Sequence, residues 1–214
     1  MPNPSIEELQ NNEKFVLIAK LNHKQIKEFV LEQLSEGGKL VKMFMIYQIF
    51  MIITGIFFVT RSIFLALQNF LAPVYFTLAA LFFSVTLLVV IHELLHGIAI
   101  KLTGAPKVNY GAYFKKFVFY AEADQYVLNS KQFSFIALTP LAVVKLITGF
   151  GILLFYNTPI FYFLIFVMCA HSLFCAGDIG LLSIFHRFGN QKVYTYDVKS
   201  EKTSYYYKRI KDSE

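Results

Sequence analysis

Residues 73–100 read PVYFTLAALFFSVTLLVVIHELLHGIAI, and the run carries no charged residue until His92, Glu93 and His96 near its carboxyl end. About 20 mostly apolar residues are enough for a helix to cross the hydrocarbon core of a bilayer. An ionisable side chain inside such a helix is costly, and it normally has a functional reason. The stretch therefore predicts a membrane-spanning helix and a functional site within it.

The composition of the whole chain also indicates a membrane protein. Of the 214 residues, 56% are hydrophobic and 16% are charged, and the mean hydropathy is +0.52. Soluble domains are about 45–50% apolar and about 25% charged, and a soluble core of this size cannot bury the excess. Disorder and a disulfide-stapled secreted scaffold are excluded by the same composition, which includes only two cysteines.

Four apolar stretches are long enough to cross the membrane as helices. They lie at residues 43–60, 73–100, 133–156 and 159–185. Together they predict a transmembrane domain at residues 43–186, preceded by an amino-terminal segment at 1–42 and followed by a tail at 187–214. No signal peptide is expected, because the first forty residues are polar and charged.

The lysine and arginine residues are distributed according to the positive-inside rule. Six precede the first predicted helix, five lie in the loop at 101–132 and seven lie in the tail, whereas the two other loops carry one and none. Both termini and the long loop are therefore predicted to be cytoplasmic. These residues flank apolar runs and do not cluster on one face, so nucleic acid is not an expected partner.

The polar segments contain short β-rich patterns and one helical pattern. The predicted strands are 15–21, 108–113, 117–121, 193–198 and 203–210, and the predicted helix runs from about His23 to Glu36. The expected fold class is an all-α polytopic membrane protein with four transmembrane helices, a small β-hairpin in the loop after helix 2 and a short β-rich tail.

His92, Glu93 and His96 form the pattern H-E-x-x-H. On a helix, this spacing places the two imidazoles one turn apart on the same face, where both can bind one Zn²⁺. The intervening glutamate can then act as general base towards a zinc-activated water molecule. The alternative interpretation is a helix-packing cluster that is satisfied by hydrogen bonds.

A catalytic zinc site needs a third protein ligand. Asp178 lies nine residues before Arg187, as His92 lies nine residues before Lys101. The two helices are predicted to run in the same direction, so a rise of about 1.5 Å per residue places Asp178 and His92 at the same depth. Asp178 is therefore the leading candidate.

Two further ionisable residues lie inside predicted helices. His171 is on nearly the same face as Asp178, about two turns deeper. It is an alternative ligand, a hydrogen-bond partner of a ligand, a donor to the oxyanion or a buried histidine with a packing role. Lys145 is expected either to pair with the acidic cluster or to snorkel towards an interface.

The sequence HELLHG at residues 92–97, together with Gly177 and Asp178 near the end of the last helix, resembles a bacterial zincin peptidase family of unknown function. That family is distantly similar to the site-2 proteases, which cut substrates within the membrane. The resemblance covers about residues 41–188. It implies His92 and His96 as zinc ligands, Asp178 as the third ligand, Glu93 as catalytic acid and base, and a bacterial cytoplasmic membrane as the location.

The leading interpretation is an intramembrane zinc metalloprotease that hydrolyses peptide bonds of membrane-associated substrates. The predicted strand at 117–121 would receive unwound substrate by strand addition, or the hairpin would act as an amphipathic lid. The alternatives are a non-catalytic zinc-binding membrane regulator or scaffold and, with less support because no inverted repeat is visible, a metal-ion transporter. The expected cofactor is Zn²⁺, and the expected partners are a membrane-protein or membrane-peptide substrate and the lipid bilayer.

Overall fold

The described part of the chain is mostly helical, with 64% of its residues in helices and with two small β-sheets. The computed structural model describes residues 3–113, 118–188 and 191–210, so the first residue of the strand predicted at 117–121 lies outside the described residues. The helices are α1 (Ile6–Leu9), α2 (Ile26–Glu36), α3 (Lys39–Leu67), α4 (Ala72–Val85), α5 (Leu87–Leu102), α6 (Ser130–Leu154), α7 (Ile160–Phe174) and α8 (Ala176–Arg187). The strands are β1 (Phe15–Asn22), β2 (Asn109–Tyr113), β3 (Val118–Glu122), β4 (Leu128–Asn129), β5 (Val193–Val198) and β6 (Thr203–Arg209).

Helices α3 and α6 are each long and apolar enough to cross a membrane. Two more spans are obtained only if α4 with α5, and α7 with α8, are each counted as one bent span; the bends are 47° and 43°. The described residues therefore contain two to four candidate spans, which is consistent with an integral membrane protein. The four-span topology and the cytoplasmic location of both termini stay predictions.

The helices predicted to be continuous at 73–100 and 159–185 are both broken in the structure. The first breaks at Thr86, whose φ of −117° and ψ of −86° are not helical. The Thr86 hydroxyl donates to the carbonyl of Phe82 at 2.7 Å and so satisfies a backbone group at the break. The second breaks at Cys175, which ends α7 and precedes α8. Hydrophobicity does not reveal either break, because the chain stays apolar across both.

The other two predicted helices exist with different limits. The structure has α3 at Lys39–Leu67, where 43–60 was predicted, and α6 at Ser130–Leu154, where 133–156 was predicted. An apolar stretch marks the membrane-embedded part of a helix, whereas the backbone hydrogen bonds continue into its polar flanks. At the start of α6, Asn129 caps the helix by accepting hydrogen bonds from the backbone N–H groups of Lys131 and Gln132.

The two ends of the chain meet in one antiparallel sheet with the strand order β1-β6-β5-β4. Strands β5 and β6 form the hairpin that the tail predicts, and β1 adds to its outer edge by pairing with β6. The sheet packs on α8, where Phe185 contacts the ring of Tyr206 with centroids 5.9 Å apart. The sequence analysis predicts the amino-terminal segment and the tail as separate segments, whereas the structure joins them in one β-sheet.

The hairpin predicted in the loop after the second span is formed by β2 and β3. It lies against α5, the helix that carries the H-E-x-x-H pattern. Gly97 makes this approach possible, because a Cβ atom at this position would overlap the hydroxyl group of Tyr110 from β2. The hairpin is therefore held directly beside His96.

A buried polar junction connects the hairpin to the sheet. His23 Nδ1 lies 3.7 Å from Glu122 Oε2 of β3, and His23 Nε2 is hydrogen-bonded to the hydroxyl of Ser204 at 3.2 Å. The same hydroxyl donates to Asp197 Oδ1 at 2.5 Å. Burial, together with the carboxylates of Asp197 and Asp124, raises the pKa of Glu122 to about 7. Burial also raises the pKa of Asp197 to about 6 and lowers the pKa of His23.

The raised pKa of Glu122 makes folding stability depend on pH. The stability that protonated Glu122 contributes to the folded state is complete below the ordinary pKa of 4.5 and is lost as the pH rises through about 7. We expect Glu122→Gln to raise the thermal unfolding midpoint above pH 7 and to change it little in acid. His23 is present in both proteins, so the difference between the two curves reports the loss of the Glu122 carboxyl group together with its contact to His23. Glu13→Gln, at an exposed position, is the matched control, and a difference that is the same at all pH values contradicts the prediction.

Helix α2 packs directly on α8, two residues from Asp178. A Cβ atom on Gly180 would lie 2.7 Å from Cγ1 of Val30, so the two helices approach closely only because Gly180 has no side chain. At the end of the contact, Arg187 forms an ion pair with Glu36 at 2.8 Å. The amino-terminal segment therefore supports the helix that carries Asp178.

We expect Gly180→Ala to lower the free energy of unfolding by about 1–3 kcal/mol, the usual cost of an overpacked contact. Gly177→Ala is the matched control on the same helix, because a Cβ atom there meets nothing within 4 Å. The double variant Val30→Ala, Gly180→Ala should recover part of the loss. Equal effects of the two single glycine substitutions in denaturant unfolding would refute the helix contact.

Candidate metal centre

Helix α5 presents the two motif histidines on one buried face. The exposed fractions of His92 and His96 are 5% and 8%. Their ring centroids are 4.7 Å apart, and their Nε2 atoms approach to 3.1 Å. The helical spacing of four residues thus brings the two ring nitrogens together, as the sequence predicts.

Asp178 meets these nitrogens from the first turn of α8. Its Oδ1 lies 3.0 Å from His96 Nε2, and its Oδ2 lies 3.3 Å from His92 Nε2. The helix break at Cys175 places Asp178 near a helix amino terminus, where a negative charge is favoured by the helix dipole. The structure therefore brings together the three residues that the sequence proposes as ligands.

Other residues hold both imidazoles in this orientation. His96 donates a hydrogen bond from Nδ1 to the carbonyl of Ile136 at 3.0 Å, and His92 Nδ1 is hydrogen-bonded to His171 Nε2 at 3.0 Å. Partners of this kind on the second ring nitrogen are typical of histidines that bind metals, since they set the ring orientation. In both cases the Nε2 atom is left facing Asp178.

The donor set fits a zinc ion. The three donor atoms lie within 4.8 Å of one another. Zinc bonds of about 2.0–2.1 Å in tetrahedral geometry require donors about 3.4 Å apart, close to the observed separations of 3.0, 3.1 and 3.3 Å. Asp178 Oδ2 is buried and has no hydrogen-bond partner in the described part of the chain. Two imidazoles and one carboxylate are also a known ligand set of catalytic zinc, with one position left for water.

Glu93 lies between the two histidines in the sequence and close to them in space. It lies on α5, one residue after His92 and three residues before His96. Its Oε2 atom is buried and forms no hydrogen bond with any described residue. A carboxylate in this position is suited to accept a proton next to the metal centre.

His171 and Cys175 lie behind His92 and are both fully buried. His171 Nδ1 is 3.7 Å from the thiol of Cys175. Of the roles that the sequence leaves open for His171, the structure places it as a hydrogen-bond partner of His92. The sequence analysis did not identify Cys175 as a candidate ligand. Residues 171, 175 and 178 nevertheless have the i, i+4, i+7 spacing that is typical of one helical face.

Lys145 contacts groups on two neighbouring helices that the sequence analysis did not name. Its Nζ donates to the carbonyl of Met168 at 2.9 Å and lies 5.0 Å from the ring centroid of Tyr47. It thus contacts α3 and α7, and neither of these contacts is with a carboxylate. These partners belong to neighbouring helices, so the position of Lys145 along its own helix does not predict them.

We expect Asp178→Ala to reduce zinc binding strongly, because two imidazoles alone make an incomplete site. The measurement is the zinc content per chain of detergent-purified protein by elemental mass spectrometry. Wild type should hold one zinc ion, as should Asp124→Ala, which removes a carboxylate near the β-sheet. Equal zinc contents in all three proteins would exclude Asp178 as a ligand.

A family described as "Putative zincin peptidase" matches residues 85–193, just over half of the chain. The match begins just before α5 and ends at the start of β5, so it includes all the metal-binding candidates described above. No curated protein and no solved structure matches the chain. By this match, the chain belongs to the zincin peptidase family.

Proposed function

We propose that this protein is an intramembrane zinc metallopeptidase that hydrolyses peptide bonds of membrane-associated substrates. The observation that carries the proposal is the convergence of His92, His96 and Asp178 on one point, with Glu93 between the two histidines on α5. The helices that supply these residues belong to the two bent candidate spans. Membership in the zincin peptidase family supports the peptidase chemistry.

His92, His96 and Asp178 are the residues that would hold Zn²⁺. When bound, zinc polarises the scissile carbonyl group and lowers the pKa of water to about 7. Ile136 and His171 keep the two imidazoles in position through their contacts with the Nδ1 atoms. Both histidines are buried, so bulk water has little access to this part of the site.

Glu93 is the proposed general base and acid. Its carboxylate accepts the proton of the attacking water molecule and then donates that proton to the leaving amine. The buried Oε2 atom has no competing hydrogen-bond partner among the described residues. Because a carboxamide cannot carry out this proton transfer, turnover is expected to be lost when Glu93 is replaced by glutamine.

The β2–β3 hairpin is the proposed landing site for substrate. Within the described residues, β2 and β3 pair only with each other, so each has an edge that another strand can join. A transmembrane substrate must unwind before it can be cut, and strand addition replaces the backbone hydrogen bonds that it loses. The contact of Tyr110 with Gly97 holds this edge next to the metal centre. A hairpin that acts as a lid would occupy the same place.

We expect Glu93→Gln to lower the cleavage rate by about 10²–10⁴-fold, the usual contribution of a general base. Zinc content should stay at one per chain, because Glu93 is not a ligand. The assay measures cleavage of a pool of single-span peptides co-reconstituted in liposomes, read by mass spectrometry. Glu32→Gln, an exposed glutamate on α2, is the matched control.

Three outcomes would contradict the proposed function. Unchanged cleavage by Glu93→Gln would exclude the mechanism. Full zinc loading without cleavage of any peptide in the pool would favour the alternative of a zinc-binding membrane regulator. Zinc flux in sealed vesicles would instead favour a transporter.

A further inference from the structure

A second set of metal-binding atoms lies on the Nδ1 side of His92. This set consists of His92, His171 and Cys175, and each residue offers one ligand atom within 4.8 Å of the others. His171 Nε2 is 3.0 Å from His92 Nδ1, and His171 Nδ1 is 3.7 Å from the thiol sulfur of Cys175. The proposed peptidase site uses only the Nε2 atom of His92. The second set uses the Nδ1 atom, so the two candidate sites lie on opposite sides of the same ring.

The distances in this second set suit a metal ion. Bonds of about 2.0–2.1 Å to nitrogen and about 2.3 Å to sulfur place tetrahedral donors about 3.4–3.6 Å apart. In the structure one donor atom of each residue lies within 4.8 Å of the other two, and His92 Nδ1 is 3.0 Å from His171 Nε2. His171 and Cys175 are four residues apart at the end of α7, the same spacing as the two histidines of α5.

The side chains of this second set are also buried. His171 and Cys175 both have an exposed fraction of 0%. A buried polar side chain is costly unless it is paired, and each of these two finds its partners mainly within the set. Two imidazoles and one thiolate form a softer donor set than two imidazoles and one carboxylate, and such a set selects thiophilic ions.

We propose that His92, His171 and Cys175 form a second metal position that takes a soft, thiophilic divalent cation of the Cd²⁺ class. This position competes with the first one, because a neutral imidazole offers a single lone pair and both positions need His92. One ion therefore binds per chain at a time. Cys175 releases its proton as the ion binds.

The competition has a consequence that rests on the proposed peptidase function. An ion at the second position takes His92 away from His96, Asp178 and Glu93. Thiophilic ions would then inhibit the enzyme by occupying this position. The existence of the position itself does not depend on proteolysis, and it is tested by metal binding alone.

The probe is Cd²⁺, and the readouts are bound cadmium per chain and the ¹¹³Cd magnetic resonance shift of the detergent-solubilised protein. A thiolate ligand moves this resonance far downfield of nitrogen and oxygen ligands. Wild type is expected to bind one Cd²⁺ with a downfield signal. Cys175→Ser should bind Cd²⁺ at the first position and lose the downfield signal, and Asp178→Ala should keep it.

Two controls make the result interpretable. Cys169→Ser changes the other buried cysteine of α7, which is not part of the set, and should leave the signal unchanged. A wild-type zinc content in Cys175→Ser shows that this variant folds and retains the first position. If Cys175→Ser does not fold, His171→Asn serves as the second variant, with the same expected loss of the downfield signal.

The proposal is overturned if the cadmium signal of wild type is unchanged by Cys175→Ser, or if Asp178→Ala abolishes cadmium binding. A role of His171 and Cys175 limited to orienting His92 would lower metal affinity by about 10–100-fold without moving the resonance. That outcome also overturns the proposal. Failure of the peptidase function is recognised separately, in the cleavage assay of Glu93→Gln.

Discussion

The approach of two imidazoles to one carboxylate, within about 3 Å and inside an apolar helix bundle, is the contact on which the rest of the structure depends. Ionisable groups at this depth are costly unless they share a partner. The surrounding helices position these groups. Two helix breaks re-aim the half-helices α5 and α8, and α6 contributes the Ile136 carbonyl that orients His96.

The segments outside the candidate spans support this contact from one side. The amino-terminal helix α2 packs on α8 at Gly180, close to Asp178, and the β-sheet of the two chain ends packs on the last turns of the same helix. The hairpin covers α5 at Gly97 and is connected to the sheet through His23 and Glu122. The helices that carry the candidate ligands, α5 and α8, are thus both anchored to segments outside the candidate spans.

Much of this site can be predicted from the sequence because its elements are local. The four-residue spacing of His92 and His96 specifies a shared helical face, and counting residues to the first basic side chain places Asp178 at the same depth. Cys175 escaped notice although it shares a face with His171 and Asp178, because a cysteine in an apolar run looks like an ordinary packing residue. The partner of Lys145 could not be predicted, since it comes from another helix.

By itself, the sequence determined the apolar helices, the H-E-x-x-H pair, the two hairpins and the candidate ligand on the last helix, because periodicity, charge and spacing are properties of the chain. Only the tertiary structure decided where the helices break at Thr86 and Cys175, that β1 joins β6, and that His171 and Cys175 stand behind His92. These features arise from contacts between residues far apart in the chain, and no local pattern encodes them.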